Sequence, residues 1–503
     1  MTTAAEGDGI RDAAITPVIP GFFPDPSVCR VGEEYVLVNS SFEYAPGIPV
    51  WSSRDLRTWT QLGNVLTRDS QFRAGTAGAS RGIYAPTIRH RDGAFFVITT
   101  DVDRPGVQLV VTATDPAGPW SDPIVLPGLG GIDPDLAWDD EGACVVTYCA
   151  LDEALRPEGG SLPVIAQARV DLERGAVLEE PRVIWRGSGL AHPEGPHLYR
   201  RGPWWYLLTA EGGTERGHAV CVARSRAIDG PFEGAPANPI FSRRSTGFPV
   251  QNTGHADLVE RVDGGWAMVY LGVRPAGFTP SFHVNGRETF LARVEWVDDW
   301  PVIRTDDQLP AHGDTSFSDD FAASALHPRY VSPGAALGAF ARPAPDGGLL
   351  LDRMDAANGA PAALSVRTRN ARWRFAARVD AAAGPIAVRL RLDETHAYEL
   401  RLAGGEATVA TRVGPFAAEP ARAATRGDVV TLLVEAADAT FDGPDDVRLG
   451  LIDDDGERWL ARIDGRYLST EVAGGFTGRT VGLHALSSRP ARVIEVHYAS
   501  LVG

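Results

Sequence analysis

The sequence predicts an all-β chain in two parts, a five-bladed β-propeller followed by a β-sandwich. Three observations predict it. Apolar residues come in short period-2 or continuous runs bounded by Gly, Pro, Asn and Asp, with no convincing helical stretch. One layout, a tight turn followed by an aromatic or β-branched strand, recurs five times before Thr305. After that point the strands alternate apolar and polar residues more plainly, between Pro/Ala/Gly loops.

Residues 1–14 carry acids and no apolar run, so they read as a disordered start. The propeller is placed over 15–305. Its five turn-strand units are Val31-Gly32 into Tyr35–Val38, Asp92-Gly93 into Phe95–Ile98, Glu141-Gly142 into Val145–Tyr148, Arg201-Gly202 into Trp204–Leu208, and Gly264-Gly265 into Trp266–Tyr270. Their turn glycines are 61, 49, 60 and 63 residues apart. A second series keeps phase with the first: a polar stretch leads to Trp59, Trp120, Trp185, Phe232 and Trp300 in turn. Five copies of about four strands each fit five blades. The polar, Pro- and Gly-containing segment 306–316 reads as a linker. Residues 317–503 read as a sandwich of two antiparallel sheets, with Ala387–Leu392 and Val429–Val434 as sample strands.

Composition narrows the function. The 503 residues hold 48 basic and 65 acidic side chains, a net charge of −17. Such a surface repels phosphate backbones and anionic lipids, which argues against nucleic-acid and membrane partners. Every basic residue is arginine, so a Walker A lysine, a pyridoxal Schiff base and any lysine nucleophile are excluded. Cys29, Cys144, Cys149 and Cys221 lie in apolar strand-like segments without a CxxC pair and read as buried free thiols. With no signal-like h-region and no membrane-length apolar run, the expected location is cytoplasmic.

In a propeller the first strand of each blade lines the central channel. Superposing the five segments that precede the turns sets Asp25, Tyr84 or Ala85, Asp133, Glu194 and His255 level with one another. Like charges gathered in a pocket are costly, so three carboxylates and a histidine around one axis point to chemistry. Such a set suits glycoside hydrolysis, where one carboxyl protonates the leaving oxygen, one activates water and a third tunes the acid. A solvated loop cluster, or a cation site plugging the channel, is the alternative.

Gly21–Ser27, Ile132-Asp133-Pro134, Glu194–Tyr199, Thr209–Thr214, Gly254–Asp257 and Gly286–Thr289, taken in order, resemble glycoside hydrolase family 43 and especially its β-xylosidase and α-L-arabinofuranosidase branch. Tyr467–Thr470 through Gly474–Gly478 resembles the C-terminal sandwich of that branch. The resemblance implies an inverting exo-glycosidase releasing non-reducing-end xylose from β-1,4-xylo-oligosaccharides, or an α-L-arabinofuranosidase, or an enzyme with both activities. Asp25 matches the general base, Asp133 the residue that orients and tunes the acid, and Glu194 the general acid. His255 matches the channel histidine, Arg287 the arginine that binds the sugar, Phe42 an aromatic bordering it, and Phe476 a sandwich aromatic near the pocket mouth. Tyr84 stands where the family usually has Trp. The trimmed loop Glu43–Gly47 and the segment Pro280–Asn285 also depart from the branch, which bears on xylose against arabinose.

No cofactor is required on this reading, although a water-mediated Ca²⁺ near His255 is a feature of some members. The expected partner is a small oligosaccharide, and the expected assembly a homo-oligomer, dimer or tetramer. A non-catalytic sugar-binding propeller is the reading from another class, and the intact acid trio argues against it. Gly78–Gly82 fits GxSxG but lacks the strand-turn-helix setting of a nucleophile elbow. His192 and His197 flank Glu194 without an HExxH pattern. Trp204, Trp205 and Trp266 follow the blade turns and read as blade core rather than sugar platforms.

Overall fold

The computed structural model describes residues 16–73, 76, 78–152, 162–305, 314–356, 359–440 and 442–501. The expected disordered start at 1–14 and most of the expected linker lie outside them. Five antiparallel sheets follow one another from Ser27 to Arg304. Their first strands are Ser27–Val31, Thr87–Arg91, Ile132–Trp138, Glu194–Arg201 and Gln251–Glu260. Each first strand packs on the next, and the fifth packs back on the first, which closes a ring.

The ring is built by alternation. Successive side chains of a strand face opposite sides of its sheet, and here both sides are covered. Tyr35 and Leu37 join Val259, Ala267 and Val269 between blades five and one, while Val36 and Val38 join Ile88 and Val97 between blades one and two. Val146 packs towards blade two and Val145 towards blade four. Trp205 and Leu207 face blade three, and Tyr206 and Leu208 face Met268 and Tyr270 of blade five. This is why the second strands read as continuous apolar runs rather than alternating ones. Trp205 is buried in that core, and Trp204 and Trp266 pack against the wedge between blades four and five, as expected. All four cysteines are buried and free.

The sandwich pairs an eight-stranded sheet with a six-stranded one around a single core that includes Phe375, Val388, Tyr398, Leu432, Leu449 and Tyr498. Val429–Ala437 lies in the first sheet and Ile386–Arg391 in the second. Tyr44–Ala45 of the propeller pairs with Ser332–Pro333 of the sandwich, and Phe22, Phe42, Tyr44 and Val331 make a buried cluster across the seam. The Arg367 guanidinium stacks 4.7 Å from the Phe23 ring and 5.3 Å from Phe22, so the sandwich grips the segment that leads into Asp25. Among the described residues no helix is long and apolar enough to cross a membrane.

Candidate active site

The channel residues sit on a repeated backbone device. Asp25, Asp133, Gly195 and His255 have φ of +52°, +56°, +54° and +43°, the left-handed region that L-residues rarely adopt. In blades three, four and five the strand pairing slips at these points, so each is a bulge that re-aims its neighbours. The superposition drawn from the sequence is therefore off by one in blade four. Gly195, not Glu194, is level with Asp25, Asp133 and His255, and Glu194 shares the position of Tyr84. A Cβ on Gly195 would lie 2.9 Å from the His255 ring. Glycine there serves both the positive φ and the close approach of the imidazole. Aligning the prolines (Pro26, Pro86, Pro134 and Pro196) gives the correct register from the sequence alone.

Asp25 is buried and held on both oxygens. Arg287 Nη1 donates to its Oδ1 at 2.9 Å, and Ser40 Oγ donates to its Oδ2 at 2.5 Å. His255 Nδ1 stands 3.4 Å from Oδ1. Burial pushes this carboxyl upward, but Arg287, then His255, then the Ser40 hydrogen bond outweigh it and hold it below its ordinary value. Arg287 also donates to Thr214 Oγ1 at 3.0 Å.

Asp133 and Glu194 behave oppositely. Gly195 N donates to Asp133 Oδ2 at 3.1 Å, which sets Asp133 against the peptide that follows Glu194. Asp133 is buried, and Glu194 keeps part of its surface open. Burial first, and then the charge of Asp25, push Glu194 up to about 7. Burial, then Glu194, then Asp25 push Asp133 well above the carboxylate range. Three carboxyls with one adjacent guanidinium cannot all ionise cheaply, so the Asp133–Glu194 pair resists losing its last proton. His255 is lowered to about 4, chiefly by burial, and is neutral near pH 7.

Aromatic rings line the side of this site. Phe42 lies 5.2 Å from Tyr84 and 6.1 Å from Phe476, and Tyr84 lies 6.0 Å from Phe476. The Arg287 guanidinium sits 5.8 Å from the Phe42 ring and 5.6 Å from Phe476. Phe476, from the sandwich, is 37% exposed. All eight residues predicted from the sequence are thus gathered directly or through Arg287. The Tyr84 hydroxyl is spent on the Ser80 carbonyl at 2.9 Å. The unusual segment 280–285 meets the sandwich: the His283 ring is 2.7 Å from Glu471, and Thr368 Oγ1 donates to Asn285 Oδ1 at 3.1 Å.

The sequence reading missed Ser40 and Thr214, and it missed a second ring one pleat below. There Ser27, Thr87, Asp135, His197 and Asp257 occupy the next inward position of each first strand. Arg89 fills the channel between them, 2.6 Å from Asp135 and 3.0 Å from Asp257, with His197 Nδ1 3.1 Å away. The signal was five polar residues at one repeat position of the five first strands.

This arrangement bears on direct ligation of Ca²⁺ by the channel side chains. That ion takes about six to eight oxygen ligands. Of the carboxylates facing His255, Asp25 is committed to Arg287 and Ser40, and Asp257 to Arg89. Among the described residues no group of three or more His, Cys, Asp or Glu side chains is placed to hold a metal. The described side chains do not make a direct carboxylate cage for Ca²⁺, and the positive charge beside His197, Asp135 and Asp257 is the Arg89 guanidinium.

Known proteins share this organisation. A "Xylosidase/arabinosidase" of Butyrivibrio fibrisolvens is 46% identical over 300 residues, covering 58% of this chain and 56% of that protein. A non-reducing end α-L-arabinofuranosidase of Bacteroides ovatus is 41% identical over 295 residues, 58% of this chain and 53% of that protein. The matches thus span little more than half the length of these relatives. A solved xylan β-1,4-xylosidase of Bacillus halodurans superposes with a TM-score of 0.86 at 28% identity, over 96% of this chain and 99% of that one. The Bacteroides ovatus xyloglucan PUL GH43B structure superposes at 0.85 with 31% identity, over 97% and 99%. Residues 15–301 match the family described as Glycosyl hydrolases family 43, and the chain belongs to that family.

Proposed function

We propose that the chain is an inverting exo-glycosidase that releases non-reducing-end xylose from short β-1,4-xylo-oligosaccharides. The observation that carries this is the opposite poise of two carboxyls in one channel. Asp25 is held ionised by Arg287 and Ser40, while burial and the Asp25 charge hold Glu194 protonated up to about pH 7. A base and an acid of that kind are what glycosidic cleavage needs on either side of one bond. Glu194 donates its proton to the leaving oxygen as the bond to the anomeric carbon breaks. Asp25, which keeps free lone pairs beside its two donors, takes a proton from the attacking water. Asp133, fixed by the Gly195 amide, keeps a protonated neighbour beside Glu194. The neutral His255 and the Phe42, Tyr84 and Phe476 rings exclude bulk water and strengthen these interactions.

A second activity on α-L-arabinofuranosides is favoured by one observation: two relatives above 40% identity carry arabinose-releasing names. Proton NMR of freshly released sugar tests the proposal on aryl β-D-xyloside and α-L-arabinofuranoside. Release of the anomer opposite to the substrate's supports it. Retention of configuration, or no turnover of either, sinks it.

A further inference from the structure

We propose that Ser80 is a positioning residue for the sugar pocket, fixing Phe476 of the sandwich against Phe42 and Tyr84 of the propeller. The inference rests on the glycosidase reading above and concerns how the pocket wall is completed.

Ser80 lies in Gly78-Ala79-Ser80-Arg81-Gly82, between the first and second blades. Its φ of +61° is one that L side chains avoid, so its surroundings hold it there. Three bonds do so, one from each polar group. Ser80 N donates to Glu43 Oε2 at 3.0 Å. The Tyr84 hydroxyl donates to the Ser80 carbonyl at 2.9 Å. Phe476 N donates to Ser80 Oγ at 2.8 Å. No group of the serine is idle, and two of its partners are pocket aromatics.

The loop is gripped from the sandwich at both ends. Glu43 is fully buried, and both terminal nitrogens of Arg391 approach its Oε1 at 3.4 Å. Arg391 Nη1 also donates to the Tyr44 hydroxyl at 2.6 Å. At the other end, a Cβ on Gly475 would lie 2.5 Å from Ser80 Oγ, at a φ of +84°. Only glycine before Phe476 lets the hydroxyl reach the Phe476 amide. The run Gly474-Gly475-Phe476 and the serine are therefore matched parts. Phe476 in turn lies nearly parallel to Phe42, with 22° between the rings, and beside the Arg287 guanidinium. Displacing it alters the wall around the sugar and leaves the acids where they are. The effect belongs in KM rather than kcat.

The experiment is a double-mutant cycle with Ser80→Ala, Phe476→Ala and the pair, on aryl β-D-xyloside and α-L-arabinofuranoside. Loss of a single neutral hydrogen bond predicts a KM raised about three- to tenfold for Ser80→Ala, with kcat within about twofold. The double variant should match Phe476→Ala alone, since Ser80 acts through that ring. Ser80→Gly separates positioning from stability: it removes the hydroxyl but relieves the positive φ, so it should raise KM equally with no loss in Tm. Calorimetric titration with xylose and with arabinose reads the same weakening without turnover. A wild-type protein that hydrolyses neither substrate overturns the glycosidase reading, and the titrations still decide Ser80. Unchanged KM and sugar affinity in both Ser80 variants, or effects that multiply in the double variant, overturn the positioning role.

Discussion

Two rings of polar and ionisable residues line the same channel, carried by the inner segments of the same five blades; their levels are two residues apart, with Glu194 one residue before the upper level. The lower ring sets Asp135 and Asp257 around Arg89, and each carboxylate is wholly buried and paired. Asp257 also accepts from Ser27 Oγ at 2.7 Å and from Val28 N at 3.0 Å. Burial works against its ionisation, but Arg89 leads a set of partners that hold it at about 2. The upper ring sets Asp25, Asp133 and Glu194 around Arg287 alone, and of the three Asp25 is the one ion-paired with it. Both layers are largely buried, with Glu194 of the upper one partly open. What differs is the ratio of carboxylates to cations, two to one below and three to one above, and the surplus appears as raised carboxyls. The difference teaches that burial of charge alone does not mark a site; incomplete pairing does.

The comparison breaks most visibly at the upper ring. Asp25→Ala should lose about 10²–10⁴-fold in kcat/KM on a xylo-disaccharide and on a dinitrophenyl xyloside alike, because water needs a base whatever leaves. Glu194→Ala should lose as much on the disaccharide and keep much of its activity on the dinitrophenyl substrate, whose leaving group needs no proton. Measuring both variants on both substrates assigns the roles. If Asp25→Ala is the variant that keeps the activated substrate, the acid and base are exchanged.

The lower ring should fail in a different way. Arg89→Met leaves Asp135 and Asp257 buried without their cation, a change that typically costs about 3–5 kcal/mol. Urea unfolding should show that loss, while the folded fraction keeps kcat/KM within a few-fold. Adding Asp135→Asn and Asp257→Asn to Arg89→Met should recover much of the stability, since no charge is then left unpaired. An Arg89→Met protein as stable as wild type would mean that Arg89 is not the plug's counter-charge.

The same contrast explains what the sequence could reveal. Asp25, Asp133, His255 and the blade order were legible because Pro and Gly punctuate the inner segments at a regular spacing. Glu194 is off the common level because matching carboxylate to carboxylate hides a bulge, which Gly195-Pro196 marks instead. Arg89 was hidden because only ring closure brings a blade-two arginine against acids of blades three and five. Ser80 was hidden because its partners Glu43, Tyr84 and Phe476 come from three separate parts of the chain.

The smallest effect sharpens the comparison through pH. A group affects stability over the range between its unfolded and folded pKa values, with a sign set by which state binds the proton. Asp257 is lowered from 3.8 to about 2, so its contribution is fully present above pH 3.8 and is lost as pH falls through about 2. Glu194 is raised from 4.5 to about 7, so the folded state holds a proton that the unfolded state has released. Its cost is absent below pH 4.5, grows as pH rises to about 7, and is constant above. Glu194→Gln removes that cost without changing shape. At pH 8 it should be more stable than wild type by on the order of 1–3 kcal/mol, or a few degrees in Tm, and at pH 4 the two should coincide. Asp257→Asn should show the reverse, less stable than wild type at pH 8 with the gap narrowing below pH 4. Thermal unfolding of the three proteins from pH 3 to 8 reads both signs at once. A Glu194→Gln protein that is no more stable than wild type at pH 8 would mean that the upper ring bears no excess charge, and that the two rings do not differ in the way their contacts imply.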